Sequence, residues 1–338
     1  MILSVDLKTQ KYDVVVEAGA LDDIDALLDL NRKVLVVTDD GVPQEYAKKV
    51  SAASKESVVA VLKSGEESKN FDNFKALLSL MLAHSFTRSD CVVAVGGGVV
   101  GDIAGFVAAC YMRGVDFYNV PTTLLSQIDS SVGGKTAIDF EGVKNVVGAF
   151  YQPKKVVIDT NVLKTLDQRQ LASGLAEAIK MALTSDKELF ELIENCADIE
   201  DVKTHLDTII VRSLAVKIAV VEKDEKEGGL RRVLNFGHTV GHAIESAENG
   251  KLLHGECVAL GMLPMCETSV RIRLEKVLEK CGLPHKITWN CDDLREYVSH
   301  DKKASAGGVC IVKVEEAGAF SFENATVEQI LKMTEDAK

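Results

Sequence analysis

The sequence predicts a two-domain chain: an α/β domain built on a parallel sheet over residues 1–160, then an all-α domain over 161–338. Three observations carry this reading. At 338 residues the chain is too long for one ordinary core and suits two. Short β-branched runs alternate with segments of helical length in the first half, as in a parallel sheet covered by helices. Beyond residue 161 the strand signals fade and long amphipathic stretches replace them.

The runs, in order, are KVLVVTDD (33–40), SVVAVLK (57–63), CVVAVGGG (91–98), VDFYNVPTT (115–123) and KVVIDT (155–160). They are apolar on both faces, the pattern of strands buried in a parallel sheet. The later helices are expected in DQRQLASGLAEAIKMAL, DTIIVRSLAVKIAVVEKD and GECVALGMLPMCETSVRIRLEKVLEKCG. Two domains imply a cleft. No repeat or low-complexity linker marks the boundary, which rests on the change of period alone.

Composition narrows the function classes. With 46% hydrophobic and 27% charged residues the chain reads as an ordinary soluble protein, and no run approaches the roughly 18 apolar residues of a membrane helix. The opening MILSVDLKTQ lacks a basic n-region followed by an apolar h-region, so a cytoplasmic location is expected, with no membrane partner. Eight cysteines are scattered without a CxxC pair and are expected to be reduced. A net charge of −12 argues against nucleic acid as a partner, although a local cluster of Lys and Arg still suits a small anionic substrate.

Four stretches carry chemistry. In VAVGGGVVGDIAGFVAA (93–109) a strand runs through three glycines into a helix holding Asp102. Such glycines let backbone N–H groups approach a phosphate at a helix N-terminus; the competing reading is a tight strand-to-helix turn. Upstream, GEESK (65–69) places Glu66 and Lys69 after a strand end, where open α/β sheets bind ligands. PTTLLSQIDSSVGGKTAIDFEGVKN (121–145) is polar and permissive, with Asp129, Lys135, Lys144 and Asn145, and is expected as a loop contacting substrate.

The third stretch raises a metal. Glu177 and Lys180 share a mostly apolar helix face, His238 and His242 share another in RVLNFGHTVGHAIE, and His254 follows in KLLHGECVALGM. Three of the chain's seven histidines fall within seventeen residues. Three protein ligands of the His2Glu type with an open fourth position describe a catalytic zinc site. The HEXXH pattern is absent, so the standard metalloprotease is excluded. Only two of the histidines need be ligands, and a third would be free for acid/base work. In the fourth stretch, VKIAVVEKDEKEGGLRRVLN (216–235), Lys217 sits on an apolar face, and Glu227, Arg231 and Asn235 lead into the metal segment. Arginine's planar fork suits a carboxylate or phosphate.

Taken together these residues resemble the 3-dehydroquinate synthases, within the sugar phosphate cyclases. The resemblance runs through GEESK, GGGVVGD, YMRG, PTTLLSQIDSSVGGKTA, KN, SGLAEAIK, LNFGHTVGHAIE, HGE and DKK (301–303). It implies a Rossmann-like NAD domain, an all-α metal- and substrate-binding domain, bound Zn2+ or Co2+, and a homodimer. Residue by residue, it implies metal ligands Glu177, His238 and His254. It implies NAD contacts from Asp39, Glu66, Lys69, Gly96, Gly97, Gly98, Asp102, Thr122, Thr123, Lys144 and Thr165. The register in VVTDDGV is open between Asp39 and Asp40. Substrate and chemistry fall to Asp129, Lys135, Asn145, Lys180, Lys217, Glu227, Arg231, Asn235 and His242, with Lys302 or Lys303 closing the pocket. Arg113 of YMRG would reach the neighbouring subunit's phosphate site. After Glu-x-x-Lys the family often has Tyr or His then Gly, where this chain has Met181-Ala182, a departure that bears on helix packing.

The implied activity, in the shikimate route to aromatic amino acids, converts 3-deoxy-D-arabino-heptulosonate 7-phosphate to 3-dehydroquinate and phosphate. It proceeds by transient oxidation with NAD, β-elimination, reduction, ring opening and intramolecular aldol closure. The alternatives are another sugar phosphate cyclase and a metal-dependent polyol or glycerol-phosphate dehydrogenase. A catalytically dead NAD-binding sensor is disfavoured by intact metal and basic positions.

Overall fold

A computed structural model of the chain describes residues 1–8, 10–248, 250–299 and 308–338. It divides into two compact units, Met1–Leu166 and Asp167–Lys338. The boundary expected at 160 falls short because residues 160–165 form a 3-10 turn that belongs to the first unit. Asp159 caps this turn at the Asn161 amide, and Val162 joins the first unit's core.

The first unit opens with β1 (Ile2–Asp6), β2 (Lys11–Val16), α1 (Ile24–Leu27), β3 (Lys33–Asp39), α2 (Gln44–Ala53) and β4 (Glu56–Leu62). It continues through α3 (Phe71–Ala83), β5 (Cys91–Gly96), α4 (Gly98–Cys110), β6 (Asp116–Pro121), β7 (Lys135–Phe140), β8 (Val143–Phe150) and β9 (Lys155–Ile158). Seven strands form one sheet in the order β1-β2-β9-β6-β5-β3-β4, antiparallel only between β1 and β2. The five expected runs are β3, β4, β5, β6 and β9, joined in parallel register. Their two-sided apolarity has a direct cause. Val34 and Val36 of β3 pack with Val93 and Val95 on one face, whereas Leu35 and Val37 pack with Val92 and Ala94 on the other. Strand side chains alternate between faces, so a strand with helices on both sides needs apolar residues at every position. β4 departs from the expectation of two-sided burial: at the sheet edge, its Val59 and Val61 are exposed.

Two strand pairs were not expected. β1 and β2 mix Ser4, Asp6, Lys11 and Asp13 with their apolar residues, which hides them from a search for continuous apolar runs. The stretch 121–145, expected as a loop, is one only in its first part. It holds a π-helical turn at Ser126–Ser130 and then enters the hairpin of β7 and β8. That hairpin reverses at Glu141 and Gly142, whose φ of +49° and +75° are what a type I′ turn requires.

The second unit runs α5 (Gln168–Ser185), α6 (Lys187–Asn195), α7 (Ile199–Thr204), α8 (Leu206–Lys223), α9 (His238–Glu248), α10 (His254–Met262), α11 (Thr268–Lys280) and α12 (Cys291–Ser299). The hairpin β10 (Val309–Glu316) and β11 (Ala319–Ala325) and the helix α13 (Val327–Asp336) complete it. The unit is largely helical, so the all-α expectation needs one correction, the β10–β11 hairpin. The alternating run VCIVKVEE carries that strand signal. Residues 171–184 of α5 are all buried, which makes it the unit's central helix. It packs against α6, α8 and α10, and α10 packs against α9.

The α9–α10 contact is a close approach of backbones. A Cβ on Gly261 would overlap the Gly237 carbonyl oxygen and lie 2.6 Å from the Gly241 amide. Gly261→Ala is therefore expected to destabilise the protein by about 1–3 kcal/mol, the usual cost of overpacking. A denaturant titration showing an unchanged midpoint would contradict this packing.

Candidate metal centre and cofactor site

The centre of the second unit begins with a buried carboxylate. Asp167 caps α5 at the amides of Arg169 and Gln170, and nearly three turns on Glu177 is fully buried. Burying an ion without a partner is costly. Lys180, one turn on and equally buried, pairs with it. Although burial opposes ionisation, Lys180 and the nearby His254 and His238 imidazoles hold the Glu177 carboxyl well below the usual carboxylate range.

His238 and His254 are the first residues of α9 and α10. His238 Nδ1 sits 3.0 Å from the Phe236 carbonyl oxygen, and His254 Nδ1 sits 3.1 Å from Glu245 Oε2. Both rings therefore turn Nε2 toward the carboxylate, 3.8 Å and 3.5 Å from Glu177 Oε1 respectively. A tetrahedral zinc with ligand bonds of about 2.0–2.2 Å would separate its ligands by roughly 3.3–3.6 Å. Nδ1 held by a carbonyl and by a carboxylate is the arrangement that orients metal-binding histidines. One ligand atom from each of Glu177, His238 and His254 lies within 4.8 Å of the others. The donor set thus fits a divalent ion such as Zn2+ or Co2+.

His242, one turn along α9, is exposed at the rim of this cluster, its ring 5.2 Å from that of His238 and 5.8 Å from that of His254. His242, Glu245 and His254 also come close enough to hold a cation. The two sets differ in which His254 nitrogen they would use, and only the Glu177 set is largely buried.

The segment before α9 is built around one acceptor. The Asp224 carboxylate receives the amides of Gly228, Gly229 and Arg231 at 2.8, 2.7 and 2.9 Å. Burial works against it, but these N–H donors lower the Asp224 pKa. The fold of this segment lets Glu227, at φ +61°, accept a 2.9 Å hydrogen bond from Asn235 Nδ2. Arg231 is buried and donates to the Glu225 carbonyl at 2.6 Å. With Lys217, buried on α8, and Lys180, three cationic side chains among the unit's described residues are kept out of water. Lys302 and Lys303 lie outside the described residues.

In the first unit most of the expected cofactor residues lie at or just after the carboxyl ends of neighbouring strands, where open α/β sheets bind ligands, whereas Lys144 lies on β8 of the separate hairpin. β5 delivers Gly96 and Gly97 into α4, whose first turn has no acidic residue and no side-chain cap. A Cβ on Gly96 would lie 2.7 Å from Val100, and one on Gly97 3.2 Å from Thr123, so glycine keeps this turn low. Its exposed amides and the helix N-terminus suit a pyrophosphate. Thr122 and Thr123 follow β6, and the Thr123 hydroxyl lies 2.8 Å from that of Ser126. After β4, buried Lys69 pairs with Glu66 at 2.9 Å and with Asp102 at 3.1 Å. Burial outweighs that lysine and pushes the Asp102 carboxyl up to about 6.

Asp39 ends β3 and turns back to accept from the Gly41 and Val42 amides at 2.9 and 3.1 Å, while the Asp40 carboxylate accepts from Ser64 N at 2.7 Å. Thr165 follows β9, its hydroxyl 2.9 Å from that of Tyr46. Asp129 lies in the π-helical turn. Lys135 opens β7, and Lys144 and Asn145 lie on β8; all three are exposed. Asn145, at φ +54°, bonds through its amide to Asp139. Arg113 is exposed at φ +69° beside Met112 at +50°.

Sequence reasoning passed over three residues. Glu245 orients His254, and its place in the same run was the available signal. Asp224, four residues before Gly228-Gly229, had the spacing of a side chain that gathers turn amides. Glu256, the last letter of HGE, accepts the Leu253 amide at 2.7 Å.

Comparison with known proteins places the chain. The family model for the 3-dehydroquinate synthase N-terminal region matches residues 59–173, and that for the C-terminal region matches 174–304. A 3-dehydroquinate synthase of Enterococcus faecalis is 40% identical over 98% of this chain and 97% of its own. One of Acetivibrio thermocellus is 44% identical over 84% of this chain and 83% of its own. Among solved structures, 2-deoxy-scyllo-inosose synthase complexed with carbaglucose-6-phosphate, NAD+ and Co2+ is 25% identical, covers all of both chains and superposes with a TM-score of 0.89. The 2-epi-5-epi-valiolone synthase ValA of Streptomyces hygroscopicus, with NAD+ and Zn2+, is 29% identical over 98% of each chain, with the same TM-score of 0.89.

The candidate metal centre has a pH signature. Burial disfavours its charge, yet hydrogen bonds to Glu177 and Glu245 push the His254 imidazole up to about 9. A ligating imidazole must be neutral, so below that pH an incoming zinc ion displaces a proton. Zinc affinity is expected to rise with pH and to level off above about 9. Calorimetry in two buffers of different ionisation enthalpy counts the proton; zero release at pH 7 would contradict the geometry.

Proposed function

Because the chain belongs to the 3-dehydroquinate synthase family, we propose that it makes 3-dehydroquinate by eliminating phosphate from 3-deoxy-D-arabino-heptulosonate 7-phosphate and closing the carbocycle. The observation that carries this is the largely buried Glu177–His238–His254 donor set, with both imidazoles locked through Nδ1. In this reading those three residues hold the divalent metal. When bound, NAD supplies a reversible hydride acceptor and the metal a Lewis acid.

The chain's own groups bind, orient and move protons. The Gly96–Gly98 turn receives the pyrophosphate, and Asp39, Glu66, Lys69, Asp102, Thr122, Thr123, Lys144 and Thr165 contact the rest of the cofactor. Lys180, Lys217 and Arg231 offer cationic donors to a substrate carrying both carboxylate and phosphate, as planar and point cations do. Buried, they act where water screens them little. Asn235, held by Glu227, adds a directed amide. Exposed His242 accepts and returns the proton of the substrate hydroxyl that is transiently oxidised. The family resemblance also assigns substrate contacts to Asp129, Lys135 and Asn145, and to Lys302 or Lys303, which lie outside the described residues. We read Arg113, exposed in a left-handed conformation, as reaching the neighbouring subunit of a homodimer. We place this activity in the cytoplasm; among the described residues no helix is long and apolar enough to cross a membrane.

Two alternatives are weaker. Iron-containing alcohol dehydrogenase and a probable glycerol dehydrogenase share the fold at TM-scores of 0.67 and 0.62 but only 16% and 15% identity. The other cyclases stand at 25% and 29%, below the 40% of the 3-dehydroquinate synthase of Enterococcus faecalis.

Incubation with the heptulosonate phosphate, NAD and Zn2+ is expected to release phosphate with no net NADH. Accumulation of one NADH per substrate would establish a dehydrogenase instead. His254→Ala should lose zinc and turnover together while its unfolding midpoint stays near the parent's. Arg231→Ala should lower kcat/KM for substrate and leave NAD affinity in place; loss of NAD binding would move that arginine to another role.

A further inference from the structure

The HGE motif contains an acidic residue with no place in the chemistry above. Glu256 is buried near the start of α10, two residues after His254. Its Oε1 accepts from Arg169 Nε at 2.7 Å, and its Oε2 accepts from the Arg169 terminal nitrogen and from the Leu253 amide, each at 2.7 Å. The same arginine nitrogen donates to the Lys251 carbonyl at 2.7 Å. One bidentate ion pair therefore grips both the first turn of α10 and the chain that leads into it.

Arg169 lies at the start of α5, and Glu177 lies two turns further along the same helix. Between them Ser173 Oγ accepts the Gly255 amide at 3.1 Å, and a Cβ on Gly255 would overlap the Ser173 carbonyl. The N-terminus of α10 is thus fastened to the flank of α5 at Arg169 and at Ser173. These are the two helices whose ligand atoms, His254 Nε2 and Glu177 Oε1, stand 3.5 Å apart. Neither Arg169 nor Glu256 belongs to the cluster that would hold the ion.

We infer that Glu256 and Arg169 form a positioning clamp that fixes the His254-to-Glu177 spacing and so sets the affinity for the divalent metal. This rests on the reading of Glu177, His238 and His254 as metal ligands. A half-exposed arginine in a purely structural surface pair would contribute little. A bidentate pair that orients a ligand-bearing helix acts instead as outer-shell partners do, where substitution typically costs about 10–100-fold in metal affinity.

The test is zinc affinity by competition with a chromophoric chelator, measured on the full chain beside its unfolding midpoint. Glu256→Gln, which keeps an acceptor for Leu253 but loses the charge, is expected to bind zinc about 10–100-fold more weakly. Arg169→Met should match it, and the double variant should be no weaker than either single one, since both break the same clamp. Raising zinc should recover turnover lost at low zinc. If Glu256→Gln does not fold, Arg169→Met, at a half-exposed side chain, carries the test alone. Parent-like zinc affinity in both single variants, whatever their midpoints, overturns the clamp. His254→Ala separates the two levels: if it retains zinc the ligand assignment itself is wrong, and if it loses zinc while the clamp variants do not, only the clamp is.

Discussion

Everything in the second unit is arranged around the burial of one carboxylate. Glu177 has no access to water, so its surroundings must supply positive charge or polar hydrogens. Lys180 meets part of that demand from the same helix. The two imidazoles do not complete hydrogen bonds to it: with Nδ1 of each held by Phe236 and Glu245, their Nε2 atoms face Oε1 at 3.8 and 3.5 Å. A dication resolves this cluster better than protons do, because it satisfies three donors at once. Burial with Lys180 alongside pushes His238 well below the usual imidazole range, which leaves it neutral and ready to ligate.

The first unit solves a different problem with different means. Its candidate site uses backbone rather than buried charge: a glycine turn after β5, a helix start without a side-chain cap, and hydroxyls after β6. Such a site suits a doubly charged pyrophosphate because amides donate without needing desolvation of a full ion. The exception is Lys69, whose two carboxylate neighbours keep it charged although burial opposes it.

Much of this was legible in the sequence, and the reasons are physical. Strands buried on both faces leave unbroken β-branched runs, so β3, β5 and β9 stood out, whereas β1, β2 and the β7–β8 hairpin mix polar with apolar residues and did not. Histidines four apart announced a shared helix face. What sequence spacing could not reveal was which imidazole nitrogen faces the carboxylate, since that depends on the Phe236 carbonyl and on Glu245 reaching across from α9 to α10. Nor could it show that Arg169, 87 positions from Glu256, closes on it. Long-range polar pairs leave no periodic trace.

The Asp224 loop has a bearing on how such an enzyme can change over generations. Three amides answer to one side chain, so the shape of the segment is stored outside the residues that compose it. Mutational drift at Lys226 can then proceed without rebuilding the path of the chain, provided the aspartate at its base is kept, whereas Glu227 stays tied to Asn235.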